Sequence, residues 1–171
     1  EKINLRKDEI EVWEKIINKL YLPLEKDTGM IPQFDGYFSL NKSLEIAGGS
    51  VAKSYQMRES GLYHESQVIK QPDVMLLFSY INLKFDERIY KRNWNYYEAR
   101  CEASSSLSYP VHSICASDMG QPESAYNYFL KSARIDLDDV HNCAWQGVHS
   151  ACAAGAWLAV ARGVAGIIMR E

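Results

Sequence analysis

The sequence predicts an all-α chain of helical hairpins in two concentric layers, alternating inner and outer helices in a toroid. Three observations predict it. Amphipathic helices alternate along the chain with helices that are apolar nearly all round, and the second kind must be buried. The final helix carries Ala153, Ala154, Gly155, Ala156, Ala159 and Ala161, side chains small enough to let neighbouring helices approach closely. No fixed repeat of the tetratricopeptide or armadillo kind is visible, which disfavours a solenoid. Alternation of this kind buries one layer of helices behind the other and does not make a simple bundle.

Taken in order, residues 7–20 predict an outer helix with Ile10, Trp13, Ile17 and Leu20 on one face. Tyr21-Leu-Pro23 ends it. Residues 25–67 read as a long irregular stretch punctuated by Pro32, Gly36, Gly48 and Gly49, with a short strand or extended run over residues 30–39. A loop of that length in a compact domain is usually a lid or a rim element. Residues 68–83 predict a buried helix, with Pro72 tolerated near its start. Residues 86–100 predict an amphipathic helix with Ile89 or Tyr90, Trp94 and Tyr97 on one face. A serine-rich entry leads to a buried helix that ends by Met119, and Gly120-Gln-Pro122 breaks the chain. Residues 123–135 are amphipathic through Ala125, Tyr128, Phe129 and Ser132, and the small-residue helix of residues 150–166 follows.

Composition excludes several function classes. The chain has 171 residues, 47% of them hydrophobic, enough for one full core. Its net charge of −3, with no Lys/Arg cluster, speaks against a nucleic-acid groove. No run of eighteen apolar residues could span a membrane, and no signal-like segment opens the chain. Cys101, Cys115, Cys143 and Cys152 lack metal-ligand spacing, so no metal is expected and a reducing cytoplasmic setting is the simplest one.

Three places could carry chemistry, all at predicted entrances of inner helices. His149 follows Gly147-Val148 at the start of the last helix, where free N–H groups favour an anion. The bland alternative is a histidine that only caps or packs. Ser104-Ser-Ser-Leu-Ser108 offers more hydroxyls than N-capping needs, although one of them will cap. Hydroxyls and a histidine converging from two helix starts would suit a phosphate. Lys70 and Gln71 stand just before Pro72 and could donate to sugar hydroxyls, or could form a solvated turn. Inner helices run parallel in a toroid, so the three entrances should open on one face.

Five stretches in this order resemble glycoside hydrolase family 65. They are Lys70-Gln71 with the apolar helix after it, Arg92-Asn-Trp-Asn-Tyr-Tyr-Glu98, and Ser105-Ser-Leu-Ser108 with His112-Ser113. Ala133-Arg-Ile-Asp-Leu-Asp-Asp-Val-His141 and Gly147-Val-His149 with Gly155-Ala-Trp157 complete the set. The resemblance covers about residues 10–167. Most members of that family are inverting disaccharide phosphorylases acting on maltose, trehalose, kojibiose or glucosylglycerol. The Asp-Val-His run and the small Ala151 look more like the kojibiose and glucosylglycerol branch.

The resemblance implies that residues 1–171 are the C-terminal part of an (α/α)6-barrel catalytic domain, as a single domain or a fragment. It implies that Lys70 and Gln71 hold a glucosyl unit and that Ser105, Ser106 and His149 bind phosphate. The family's general-acid Glu belongs to a motif before Glu1, so no catalytic residue is assigned in this chain. The implied reaction is phosphorolysis of an α-glucosyl disaccharide or glucoside to β-glucose 1-phosphate, with inorganic phosphate as co-substrate and no resident cofactor. The rest of the barrel, from an upstream segment or another chain, is the expected partner. The open faces of a half-toroid also predict self-association as a homo-oligomer. Residues 36–67 depart from the family pattern, which leaves the acceptor sugar open. Two other classes remain: an inverting hydrolase with Glu102 as base, and a non-catalytic half-domain. Glu102 beside the serine run otherwise reads as a solvated loop charge.

Overall fold

Helix α1 (Lys7–Ile17) begins where the side chain of Glu9 accepts the N–H of Arg6 at 3.1 Å. Asp8 and Glu9 in its first turn and Lys15 in its last complement the helix dipole. The structure is a computed structural model that describes residues 5–40, 65–80, 85–102 and 105–167. Within it α1 has no buried residue, and Ile10, Trp13, Ile17 and Leu20 are exposed. The amphipathic face exists, but nothing among the described residues buries it.

Of the short strand or extended run expected in residues 30–39, the second alternative holds, and only at the start. The chain runs extended through Met30 and Ile31 and then turns into a short 3-10 segment, Tyr37–Ser39. The reason is local. Pro32 has no N–H to offer a ladder. The N–H of Ile31 is taken by Asn93 Oδ1 at 3.0 Å, while Asn93 Nδ2 donates to the carbonyls of Gly29 and Ile89. The buried amide of Asn93 thus replaces a neighbouring strand.

The next helix is shorter than predicted. Helix α2 spans Asp73–Ser79, not residues 68–83, of which residues 81–84 lie outside the described ones. Proline biases the residue before it away from helix, and residues 68–71 are not helical but bend at Lys70 and Gln71. Ile69 instead forms a parallel bridge with Cys101: its N–H reaches the Arg100 carbonyl and its carbonyl accepts from the Glu102 N–H. Helix α3 is Glu87–Glu98, with the Asp86 side chain accepting the Arg88 N–H at 2.8 Å. Helices α4 (Ser108–Asp118) and α5 (Pro122–Ala133) follow, and then α6 (Ser150–Leu158) with a π-helical extension, Ala159–Val164.

Contacts along these helices fix their directions. Ser108 Oγ meets the Lys70 carbonyl and Cys115 Sγ the Met75 carbonyl, so α2 and α4 run parallel. Gly155 lies against Pro110 and Gly163 against Ile114 and Ser117, so α6 also runs parallel to α4. At the far end Arg162 donates to the Phe78 carbonyl and lies 3.8 Å from Asp118. Helix α3 runs the other way: Tyr90 bonds Asp118 while Trp94 meets His112. So does α5, with Ser113 bonding the Ala125 carbonyl near the turn and Tyr109 packing with Ile135 beyond its far end. Parallel α2, α4 and α6, with antiparallel α3 and α5 between them in sequence, make the alternating hairpins that the sequence predicts.

The main core joins α2, α3 and α4 to the extended stretch through Ile31, Tyr37, Met75, Phe78, Trp94, Tyr97 and Val111. Burying Met75 or Phe78 contributes about 1.5–3 kcal/mol each. Helix α4 is the central one, with nine consecutive buried residues from Ser108 to Ala116. Helix α6 is only half covered. Cys152, Gly155, Ala156 and Ala159 are buried, whereas Ala151, Ala153, Ala154 and Trp157 face out. The expectation of full burial therefore fails among the described residues, which cover one side of α6 only.

His112 of α4 is sealed between the rings of Trp94 and Tyr128. Neither ring nitrogen has a hydrogen-bond partner among the described residues. Burial, with a smaller push from the Lys131 charge, lowers its pKa to about 4. The folded chain thus keeps His112 neutral down to about pH 4, while the unfolded chain protonates it near 6.5. Between those values the unfolded state binds more protons, so stability falls as the pH drops from 6.5 towards 4. The expected loss is about 3 kcal/mol. Melting the intact protein at pH 7 and pH 4.5 checks this, since His112→Phe should flatten the difference.

Candidate functional site

The bridge between Ile69 and Cys101 brings the Lys70–Gln71 turn against the serine turn that opens α4. Gln71 Nε2 donates to Ser105 Oγ at 2.8 Å. The Lys70 carbonyl accepts from Ser108 Oγ at 3.4 Å and lies 3.7 Å from Cys101 Sγ. The backbone of Lys70 is therefore anchored while its side chain is exposed. Ser105 is buried, Ser106 half-buried. Helix α4 has no side-chain N-cap bond; Ser105 Oγ instead takes the Leu107 N–H at 3.4 Å, and the Ser105 carbonyl takes that of Ser108. Ser104 lies outside the described residues.

Glu102 corrects an expectation. It is not a solvated loop charge but fully buried. The same bridge is the cause, since the Glu102 N–H bonds the Ile69 carbonyl at 2.9 Å and draws the residue beneath the turn.

His149 sits at the start of α6, parallel to the other two entrances and at the same end. Its hydrogen bonds go to Asp136, not to the serines. Nδ1 lies 2.5 Å from Asp136 Oδ1, and the backbone N–H donates to Asp136 Oδ2 at 2.9 Å. The His149 side chain, bonded through Nδ1, and then its backbone N–H hold the Asp136 carboxyl below its ordinary range. Nε2 faces Cys143 Sγ at 3.6 Å. The loop between is shaped by Asp139, whose Oδ1 accepts the N–H groups of Cys143 and Ala144, both at 2.8 Å. Asp139 and Asn142 both adopt left-handed backbone, at φ 45° and 55°, a region that short polar side chains tolerate. His141 stacks on Tyr109 with the ring planes 1° apart, and burial followed by the nearby His149 lowers its pKa.

The structure thus joins Gln71 to Ser105, sets Ser106 beside them, and leaves His149 on its own carboxylate at the same end of the helices. Asp136 and Cys143 escaped the sequence reading. Asp136 lies 13 residues before His149 in a stretch notable only for its family resemblance, and the fold of the loop carries it back to His149. Among the described residues no cluster of His, Cys, Asp and Glu could hold a metal ion. No described helix is long and apolar enough to cross a membrane.

A helical fold with parallel inner helices and polar turns gathered at their starts defines a helical-hairpin class with those turns at one end. Within that class, residues 1–158 match the model of the glycosyl hydrolase family 65 central catalytic domain, and the chain belongs to that family. It is 54% identical over 99% of its length to 3-O-alpha-D-glucosyl-L-rhamnose phosphorylase of Lachnoclostridium phytofermentans, covering 22% of that protein. It is 36% identical over 99% of its length to kojibiose phosphorylase of Halothermothrix orenii, again covering 22% of the relative. A solved structure from the human microbiome, provisionally named a kojibiose phosphorylase, superposes with a TM-score of 0.80 at 30% identity. That alignment covers 97% of this chain and 23% of the other. The chain therefore spans about a fifth of the length of these relatives.

Proposed function

We propose that the chain is the C-terminal part of the catalytic barrel of a disaccharide phosphorylase that cleaves an α-glucosyl disaccharide with inorganic phosphate, inverting to β-glucose 1-phosphate. The observation that carries this proposal is the 54% identity, across 99% of the chain, to a relative named as a glucosyl-rhamnose phosphorylase. Because that identity exceeds the 36% to the kojibiose enzyme, a 3-O-α-glucosyl-L-rhamnose is the first disaccharide to try, ahead of the kojibiose and glucosylglycerol type. The rest of the barrel covers the open faces of α1 and α6, from further along the same polypeptide or from another chain. Four free cysteines fit a cytoplasmic enzyme.

In the mechanism, phosphate attacks the anomeric carbon from the face opposite the leaving sugar, and a glutamic acid outside this chain protonates the glycosidic oxygen. This parallels an inverting hydrolase with phosphate in place of the activated water. Phosphate is a competent nucleophile at neutral pH, so the protein supplies position and charge rather than a base. Lys70 and Gln71 hold the glucosyl unit, and the Gln71–Ser105 bond ties that grip to the phosphate side. Ser105 and Ser106 offer hydroxyls. His149, with Nδ1 held by Asp136, presents Nε2–H to a phosphate oxygen when protonated. Glu102 fits a hydrolytic base poorly, because it is buried beneath the turn. Lys70→Ala in the intact enzyme tests the sugar grip. Phosphorolysis and the reverse synthesis share the glucosyl unit, so both should slow, and unchanged rates in both directions would remove Lys70 from the site.

A further inference from the structure

Asp136, His149 and Cys143 stand in line, the carboxylate on Nδ1 at 2.5 Å and the thiol on Nε2 at 3.6 Å. A nucleophile, a base within reach of its proton and a third group orienting that base is the arrangement that activates thiols. The loop holds it in place, because the Asp139 carboxylate pins the backbone N–H of Cys143 itself. Cys101, Cys115 and Cys152 are buried, whereas Cys143 is partly exposed. Nothing in the phosphorolytic mechanism calls for a thiol there.

We infer that Cys143 is a reactive thiol, open to small electrophiles and peroxides, and that its modification takes His149 out of the anion site. The second half rests on the phosphate role proposed for His149, and the first half does not. With iodoacetamide, the Sγ proton passes to Nε2, the sulfur attacks the methylene carbon, the carbon–iodine bond breaks and iodide leaves. With hydrogen peroxide, the same sulfur attacks one oxygen and the O–O bond breaks. The sulfur is oxidised to sulfenic acid, and the departing hydroxide takes the proton back from Nε2 as water. Either product puts new bulk beside the nitrogen that would meet a phosphate oxygen.

The test treats the intact protein with iodoacetamide at neutral pH and follows each cysteine by peptide mass spectrometry. Cys143 should react first, and Asp136→Asn and His149→Gln should each slow it about tenfold. A thiol that is merely accessible would keep its rate, or gain when the histidine is replaced, and either result overturns the inference. Cys115 and Cys152 in the same spectra show whether a variant still folds. Should His149→Gln open the fold, Asp136→Asn, which keeps the side-chain shape, decides alone. Inorganic phosphate separates the two halves. Protection of Cys143 by phosphate supports both. Fast, His149-dependent alkylation indifferent to phosphate keeps the reactive thiol and removes His149 from the phosphate site. Slow alkylation unmoved by either variant overturns the thiol, even where His149→Ala still raises the KM for phosphate.

Discussion

His149→Ala in the intact enzyme is expected to raise the KM for phosphate by about ten- to a hundredfold and to leave that for the disaccharide little changed. The size follows from losing one charge-assisted hydrogen bond to an anion, roughly 1.5–3 kcal/mol. The selectivity follows from position, since His149 lies at the entrance of α6 while Lys70 and Gln71 lie at that of α2. Asp136→Asn should move the same constant in the same direction but less far. It keeps one acceptor oxygen for Nδ1 and loses the negative charge together with the second oxygen that takes the His149 backbone N–H. Steady-state kinetics with each substrate varied in turn check both variants. Equal rises in both constants would mean that His149 supports the cleft as a whole.

Gly155→Val is expected to destabilise the protein strongly. A Cβ at Gly155 would fall 2.6 Å from Pro110 Cγ and 2.7 Å from Pro110 Cβ. Pro110 is a fully buried ring on the central helix, so it cannot swing aside. Replacing a helical glycine ordinarily gains up to about 1 kcal/mol of propensity. Overpacking costs about 1–3 kcal/mol and here outweighs it, because a branched side chain enters a contact already closed to one carbon. A net loss of that order lowers Tm by roughly 2–4 °C per kcal/mol in a domain of this size. Ala154→Ser, on the opposite face of the same helix, adds one small atom away from Pro110 and should lower Tm less than Gly155→Val. Calorimetry of the two variants side by side separates close helix approach from a general intolerance of α6.

The same glycine shows what was legible beforehand. Small residues in the last helix predict close approach, and the approach is real at Pro110, but burial of the whole helix did not follow. Among the described residues α6 is covered on one side only and the α1 face is bare, and periodicity reports that a face is apolar without saying what covers it. The start of α2 was misread because apolar Val68 and Ile69 fit a helix as well as a bridge, and Pro72 decides between them. The stretch after Met30 stayed an extended run and not a strand because the Ile31 N–H goes to Asn93, 62 residues further on. In the candidate site, the nearness of Gln71 to Ser105 was implied by parallel inner helices. The grip of Asp136 on His149 was not legible. It depends on a loop whose turn relies on left-handed Asp139 and Asn142, and those residues look like any polar connection.

The central claim is that phosphate, not water, takes the glucosyl unit. Its most direct measurement incubates the intact enzyme with 3-O-α-glucosyl-L-rhamnose, with and without inorganic phosphate, and reads the products by NMR. The expected result is β-glucose 1-phosphate and rhamnose in equal amounts when phosphate is present, and negligible turnover without it. Free glucose released at the same rate in the absence of phosphate, and abolished by Glu102→Gln, would contradict the claim and establish a hydrolase.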